Sequence, residues 1–348
     1  MLKKFFQMFS NDIGIDLGTA NTLVYLKGHG IVINEPSVVV VNQKTGQIVA
    51  VGAEAKQMLG RTPGHVKAVK PIVDGVISDF EVAEEMITYL INKTERISKK
   101  ILRPRVVIGV PTGITNVEIR AVEDAARSAG AREVYIIEEP MSAAIGIHLP
   151  VKEAIGSVIV DVGGGTTDVA VISLSGVVCS KNIKVAGDLL NGDIINYIKD
   201  EFKLLIGERT AENIKIAIAS VSESQALEAE VRGRDLVTGL PRQVIVTDTD
   251  IKEAIMPSIL SLVEGIKEVL ETTPPELLSD IIKNGLVLSG GGAMLRGLDG
   301  FLESALKIPV YVAEDSLTAV ARGAGVVLDE FETYKEVLLK TDEESISR

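Results

Sequence analysis

The feature that most constrains the fold is an internal repeat. IGIDLGTANTLVYL at 13–26 and VIVDVGGGTTDVAVI at 158–172 share one order of parts: apolar strand, aspartate, apolar residue, glycine, small polar loop, apolar strand. Superposing them pairs Asp16 with Asp161 and Gly18 with Gly163. A second echo lies downstream of each copy. VVIGVPT at 106–112 precedes a helix and the strand 134–137, and LVLSGGG at 286–292 precedes a helix and the strand 310–313. A repeat of this length with strands and helices in alternation predicts an α/β chain made of two copies of one unit, each opening on a tight β-hairpin. Further strands are expected at 37–41 and 169–173. Helices are expected at 81–100, with Met86, Leu90 and Ile97 on one face, and at 116–129, opened by the capping box of Thr115 and Glu118.

The hairpin loops have a chemical logic. A glycine at position 18 is expected to supply a positive φ and, having no Cβ, to let the amides of Thr19, Ala20 and Asn21 approach an anion as a nest. Asp16 is repelled by a phosphate but suits a hydrated Mg²⁺ that holds one. One such loop is equally an ordinary turn. The second, Asp161 followed by Gly163, Gly164, Gly165, Thr166 and Thr167, spends backbone entropy on three glycines that a turn does not need, with an aspartate at the same place in the repeat. Two nests facing each other grip a polyphosphate from both sides. Gly291, Gly292 and Ala293 follow a strand end, where α/β folds place ligands, and are open either to a base or ribose or to close packing of helix on strand. Glu212 and Lys215, with Asn213 and Ile214 between them, share a helical face and form either a solvent-exposed ion pair or partners for ribose and purine. Glu138 and Glu139 before Pro140 suit a helix N-terminus, and a carboxylate there also suits the orientation of water for in-line attack on a γ-phosphate.

Composition narrows the function classes. The net charge of −12 argues against a general nucleic-acid binder, and 46% hydrophobic residues argue against disorder. Cys179 is the single cysteine, and His29, His65 and His148 are scattered, so neither a disulfide framework nor a structural zinc site is expected, and a reducing, cytoplasmic setting fits. No run of apolar residues is long enough to span a membrane. P-loop, protein-kinase, serine-hydrolase and zinc-protease signatures do not occur. The start, MLKKFFQMFSN, places Leu2, Phe5, Phe6 and Phe9 at helical spacing opposite Lys3, Lys4, Gln7 and Ser10, which suits a helix docked on the core or one lying in a lipid headgroup layer. At roughly 1.5–3 kcal/mol per large side chain and about 1 kcal/mol per lysine near an anionic surface, the gross gain is on the order of 10 kcal/mol. Ordering ten residues costs a similar amount, at roughly 1–2 kcal/mol each. One copy therefore binds weakly and many copies held together bind firmly, which suits a polymer. The tail after about Leu328 turns charged and is expected to be solvated.

The loops DLGTANT, DVGGGTTDVAV and LSGGGAMLRGL resemble the phosphate-1, phosphate-2 and adenosine motifs of the superfamily of actin, sugar kinases and heat-shock chaperones. NEPSVVV at 34–40, EEPMSAAIG at 138–146, GERTAENIK at 207–215, EVRGRDLVTGLPR at 230–242 and TPPELLSDII at 273–282 resemble the MreB family of bacterial actins over nearly the whole chain. The resemblance implies an actin-like ATPase fold: two duplicated RNase H-like α/β halves, with small inserted subdomains, around a central nucleotide cleft. The implied parts are an amphipathic membrane-binding helix at 1–11 and a first half at 12–146 with an insertion at about 33–70, completed by about 318–335. A second half at 147–317 carries an insertion at about 185–250, and a charged tail occupies 336–348. It further implies ATP and Mg²⁺ as cofactors, with Asp16 and Asp161 positioning the metal through water. Gly18 to Asn21 and Gly163 to Thr166 hold phosphates, and Glu212 to Lys215 with Gly291 to Ala293 hold adenosine. Glu139 positions the attacking water with help from Thr166 or Thr167. Asp168 stands where the family commonly has glutamate and is given no role. The implied function is slow ATP hydrolysis coupled to assembly into paired antiparallel protofilaments on the inner face of the cytoplasmic membrane. There the filaments, with a bitopic membrane protein and the wall-synthesis machinery as partners, organise cell-wall synthesis and rod shape. A small-molecule kinase, a chaperone-like ATPase and a soluble DNA- or organelle-positioning filament are the alternatives.

Overall fold

The computed structural model describes residues 12–98 and 103–339. The first half opens with β1 (Ile13–Leu17), β2 (Asn21–Leu26) and β3 (Gly30–Pro36). A small sheet of β4 (Val39–Asn42), β5 (Ile48–Val51) and β6 (Val66–Val69) follows, with α1 (Ala53–Met58) after β5, and then a ribbon of β7 (Ile72–Val73) and β8 (Val76–Ile77). Helix α2 (Phe80–Ser98), β9 (Arg105–Val110), α3 (Asn116–Ser128), β10 (Glu133–Glu138) and α4 (Glu139–Gly146) complete this stretch. The second half repeats the pattern with β11 (Ser157–Val162), β12 (Thr167–Ser173) and β13 (Gly176–Ile183). An insertion then runs through α5 (Gly187–Phe202), β14 (Leu204–Leu205), α6 (Glu208–Ile218), β15 (Glu228–Asp235) and β16 (Pro241–Thr247). Helices α7 (Asp248–Thr272) and α8 (Pro275–Asn284), strand β17 (Leu286–Ser289), a 3-10 turn at Gly291–Met294, α9 (Leu298–Leu306), β18 (Val310–Val312) and α10 (Ala319–Asp329) follow.

The duplication seen in the sequence is a duplication of topology. One sheet runs β3-β2-β1-β9-β10 and the other β13-β12-β11-β17-β18. In each, an antiparallel meander is extended by two parallel strands. Asp16 sits beside Leu23 on one neighbour and Gly109 on the other, and Asp161 sits beside Asp168 and Ser289, so the two aspartates occupy equivalent places in the two sheets. Parallel strands covered on both faces read as continuous apolar runs, and β9 and β11 are buried at every position.

Two helices cross between the sheets, and only small residues permit their approach. A Cβ on Gly323 of α10 would stand 1.7 Å from the Ser142 carbonyl oxygen of α4, and a Cβ on Gly146 would stand 2.0 Å from the Ala319 carbonyl oxygen. The Ser142 hydroxyl donates to the Val320 carbonyl at 2.8 Å. Helix α10 also lies on the first sheet, where Gly14 meets Ala324. A helix from late in the chain thus packs against the sheet that begins it.

Two sequence expectations change here. On α2 the buried stripe runs through Met86, Leu90 and Thr94, and Ile97 is 43% exposed, because the helix extends past the core it covers. The stretch after Leu328 is docked rather than solvated as far as residue 339. Phe331 meets the Tyr135 ring edge-on at 4.7 Å, Val337 is buried with residues of α4 and α10, and the Leu339 amide donates to the Ile136 carbonyl on the edge strand β10 at 2.9 Å. The capping box is present, with Thr115 and Glu118 bonding reciprocally. The expected amphipathic helix at 1–11, and with it Leu2, Phe5, Phe6 and Phe9, lies outside the described residues, as does the end of the tail from 340. Among the described residues no helix is long and apolar enough to cross a membrane.

Candidate functional site

The two aspartate-glycine loops meet. A Cβ on Gly164 would lie 2.6 Å from the Ala20 Cβ, and one on Gly165 would lie 2.5 Å from the Thr19 hydroxyl. Glycine is needed here for close approach and not, as the sequence suggested for Gly18, for a left-handed backbone: Gly18 and Gly163 to Gly165 all lie outside the positive-φ set. At Gly18 a Cβ would stand 2.6 Å from the Asn21 carbonyl oxygen, so the tightness of the hairpin excludes a side chain. The amides of Gly187 and Asp188, where α5 begins, donate to the carbonyls of Gly163 (3.1 Å) and Gly164 (2.7 Å), holding the second loop from behind.

A third element joins them that sequence reasoning missed. The turn between β7 and β8 places Asp74 and Gly75 in left-handed backbone, the Gly75 amide donates to the Thr19 hydroxyl at 3.0 Å, and the Asp74 backbone packs against Gly165. The signal was available as an Asp-Gly pair between short apolar runs, the commonest two-residue hairpin turn.

Five carboxylates converge behind the loops. Burial, with Asp161 nearby, pushes Asp16 up to about 8. Burial pushes Asp161 up to about 6, against the opposing hydrogen bond that the Ser289 hydroxyl donates to it at 2.7 Å. Glu139 is raised well above the ordinary range by burial and then by Asp168, Asp16 and Asp161, and Glu138 is raised by burial and by Asp168. Burial also raises Asp168, despite hydrogen bonds from Thr112, Asn182 and Thr166. None of these five owes its shift to a neighbouring cation. An acidic, oxygen-only pocket of this kind fits a hard divalent cation. Among the described residues no trio of His, Cys, Asp or Glu is placed to hold an ion directly.

The two candidate threonines separate cleanly. Thr167 is fully buried and its hydroxyl donates to the Val185 carbonyl at 2.6 Å, so it faces away from the cleft and braces the strand. Thr166 lies on the Asp168 side, where it favours that carboxylate's charged form, and against Gly75. Strand alternation carries this information, since positions 166 and 168 share a side and 167 takes the other.

On the far side of the loops a cavity of about 610 Å³ is lined by Thr19, Ala20, Lys70, Asp188, Glu212 and Asn213. Ile214 turns inward to the core. Glu212 and Lys215 do not pair with each other. Lys215 donates to the Gly187 carbonyl at 2.7 Å, its pKa lowered chiefly by burial. Glu212 reaches across to Lys56 of α1 at 2.9 Å, and Lys70 reaches across to Asp188 at 3.0 Å and to Glu208. These pairs link the segment around α1 and β6 to the segment of α5 and α6. The third glycine run serves packing at two of its positions: Cβ atoms on Gly290 and Gly292 would meet Val162 at 2.4 and 2.2 Å. Gly291 stays open apart from Leu317, and Ala293 is buried in the 3-10 turn beyond β17. This run is tied to the end of α6 by the Val221 amide, which donates to the Arg296 carbonyl at 2.9 Å.

The duplicated sheets, paired hairpins and crossed helices are matched by known proteins. A family model described as MreB/Mbl protein matches residues 10–336. The chain belongs to the MreB/Mbl family. It is similar to the cell shape-determining protein MreB of Escherichia coli strain K12, at 53% identity over 334 residues covering 94% of this chain and 96% of that one. It is likewise similar to the cell shape-determining protein Mbl of Bacillus subtilis strain 168, at 51% identity over 323 residues covering 92% and 97%. Among solved structures, MreB5 of Spiroplasma citri bound to ADP matches with a TM-score of 0.89 at 36% identity, covering 94% of this chain and 98% of that one. The same protein bound to AMPPNP matches with a TM-score of 0.88. MamK in a double helical filament, at 24% identity and a TM-score of 0.78 over 92% and 99% of the two chains, shares the actin-like fold. The MreB/Mbl assignment makes this an actin-like protein of the cell shape-determining class, and it accounts for the two-fold sheet topology without further assumption.

Proposed function

We propose that this MreB/Mbl protein binds Mg²⁺-ATP between its two aspartate-glycine hairpins, hydrolyses it slowly, and assembles into paired antiparallel filaments on the inner face of the cytoplasmic membrane. There, with a bitopic membrane protein and the wall-synthesis machinery, it organises wall growth and rod shape. The observation that carries this reading is the cluster of Asp16, Asp161, Asp168, Glu138 and Glu139 directly behind two glycine loops that touch. Its like charges are costly without a cation, and the loops offer backbone approach to an anion. The nucleotide-bound MreB5 relatives support the same cleft. Asp16 and Asp161 would hold the hydrated ion, which when bound neutralises phosphate charge. Thr19, Ala20, Asn21 and Gly163 to Thr166 bind phosphate, and Glu212, Asn213 and Gly291 border the nucleoside. Glu139, at the first turn of α4 and shielded from solvent, orients water, with help from Thr166.

Sedimentation and electron microscopy with Mg²⁺-ATP, in solution and on anionic vesicles, test the assembly. Filaments are expected, and a chain that stays monomeric under both conditions overturns the proposal. Glu139→Gln is expected to keep nucleotide binding while lowering hydrolysis by about 10²-fold, the size typical of losing a general base. Rapid phosphoryl transfer to a sugar or acetate would instead favour a small-molecule kinase.

A further inference from the structure

We propose that Asp168 is a positioning residue of the cleft: it sets the Thr166 hydroxyl, and through Thr112 it ties that setting to contact between the two halves of the molecule. The inference rests on the reading of the cleft as an ATPase site. Asp168 is 1% exposed on β12, cross-strand from Asp161 and in register with Asn182. Its Oδ1 accepts from the Thr112 amide at 2.7 Å, from the Thr112 hydroxyl at 2.6 Å and from Asn182 Nδ2 at 3.1 Å. Its Oδ2 accepts from the same Asn182 nitrogen at 3.1 Å, and the nearby Thr166 side chain also favours the charged form of this carboxylate.

The origin of these donors matters more than their number. Asn182 and Thr166 belong to the second half, and Asn182 alone is the partner expected of a polar residue within its own sheet. Thr112, itself 3% exposed, lies just past the end of β9 in the first half and directs two donors at one oxygen. Charge-assisted hydrogen bonds of this length are strong and directional. The Thr166 side chain, two residues away on the same side of the strand, therefore lies beside a carboxylate whose own position is set from across the cleft. Parting of the halves would strip Asp168 of two donors while leaving it buried near Glu138 and Glu139, so the carboxylate would shift and the hydroxyl with it. The device couples the hydrolytic geometry to contact between the two halves.

The test uses the full-length chain and four forms: the parent, Asp168→Asn, Thr112→Val and Thr112→Ser. Single-turnover hydrolysis of ATP, affinity for a fluorescent ATP analogue, and melting temperature are read for each. Asp168→Asn presents an amide to donors and is expected to slow hydrolysis at least about tenfold, with affinity within about threefold of the parent, the signature of an interaction that matters to the chemical step. Thr112→Val is expected to slow hydrolysis in the same sense, and Thr112→Ser, which restores the hydroxyl, to return it to within about twofold of the parent. Should Asp168→Asn not fold, the valine and serine pair decides alone. Parent-like hydrolysis in Thr112→Val overturns the inference, as does a loss of affinity equal to the loss of rate, or a serine variant no better than valine. A parent that binds nucleotide but hydrolyses none overturns the ATPase reading itself, a distinguishable outcome.

Discussion

Asp16 carries a stability cost that titration exposes. On folding it is pushed up to about 8 from a value of 3.8, and Asp161 up to about 6. For a carboxyl raised on folding, the native state binds more protons than the unfolded state across the interval between the two values. The contribution is therefore fully present below about pH 4 and is lost as pH rises, for Asp161 toward 6 and for Asp16 toward 8, at up to about 1.4 kcal/mol per pH unit for each proton. Asp16→Asn removes the larger share. Its melting temperature relative to the parent is expected to climb between pH 5 and pH 8, and Mg²⁺ with nucleotide is expected to shrink that gap. A difference that stays flat with pH contradicts the account. At this scale the sequence was informative about which residues gather and weak about which way they face. The residue types of Asp16, Asp161 and Glu139 were legible because aspartate before glycine in a repeated hairpin is rare without a ligand. Thr166 and Thr167 are adjacent in sequence, but alternation along the strand turns them to opposite sides, and the role of Asp168 was hidden because two of its donors come from Thr112, 56 residues away.

Among the elements, the strands of the two main sheets were legible because continuous apolar runs have one use in a parallel sheet, whereas β15 and β16, exposed on much of both faces, carry no such long run and were not among the expected strands. The crossing of α4 and α10 left only small residues as a trace. It is testable by Gly323→Ala, whose Cβ would collide with the Ser142 backbone, against Gly300→Ala, which meets nothing within 4 Å. Overpacking costs about 1–3 kcal/mol or more, so the first variant is expected to melt several degrees lower. The second, gaining helix propensity within α9, should melt no lower than the parent. Equal melting of the two would mean that the helices do not pack this closely. The pairs across the cleft mouth make a second prediction. Lys70 faces Asp188 and Glu208, all partly exposed, so each pair contributes only about 0.2–1 kcal/mol. Lys70→Ala is expected to speed release of a fluorescent ADP analogue by about two- to fivefold, a difference that fades as salt is raised. An unchanged release rate removes these pairs as a restraint on the cleft.

For the whole molecule, duplication was legible early because a repeat constrains topology as well as local structure, and the contacts between the halves were not, because no periodicity encodes them. The proposed membrane attachment belongs to this scale as well, since on that reading it depends on how many chains act together. The gain available to Leu2, Phe5, Phe6, Phe9 and two lysines roughly balances the cost of ordering ten residues, so a lone chain is expected to bind anionic vesicles weakly. In a filament the segments are presented side by side, and each additional contact forms at high effective concentration. Vesicle co-sedimentation should therefore rise steeply at the protein concentration where filaments form, and only with Mg²⁺-ATP. A chain lacking residues 1–11 should still form filaments in solution yet leave vesicles bare, because Asp12, buried against Arg105 at 2.9 Å, and the sheet that follows it are kept. Binding that rises smoothly with concentration, indifferent to nucleotide, would mean that one copy suffices and that assembly and attachment are independent.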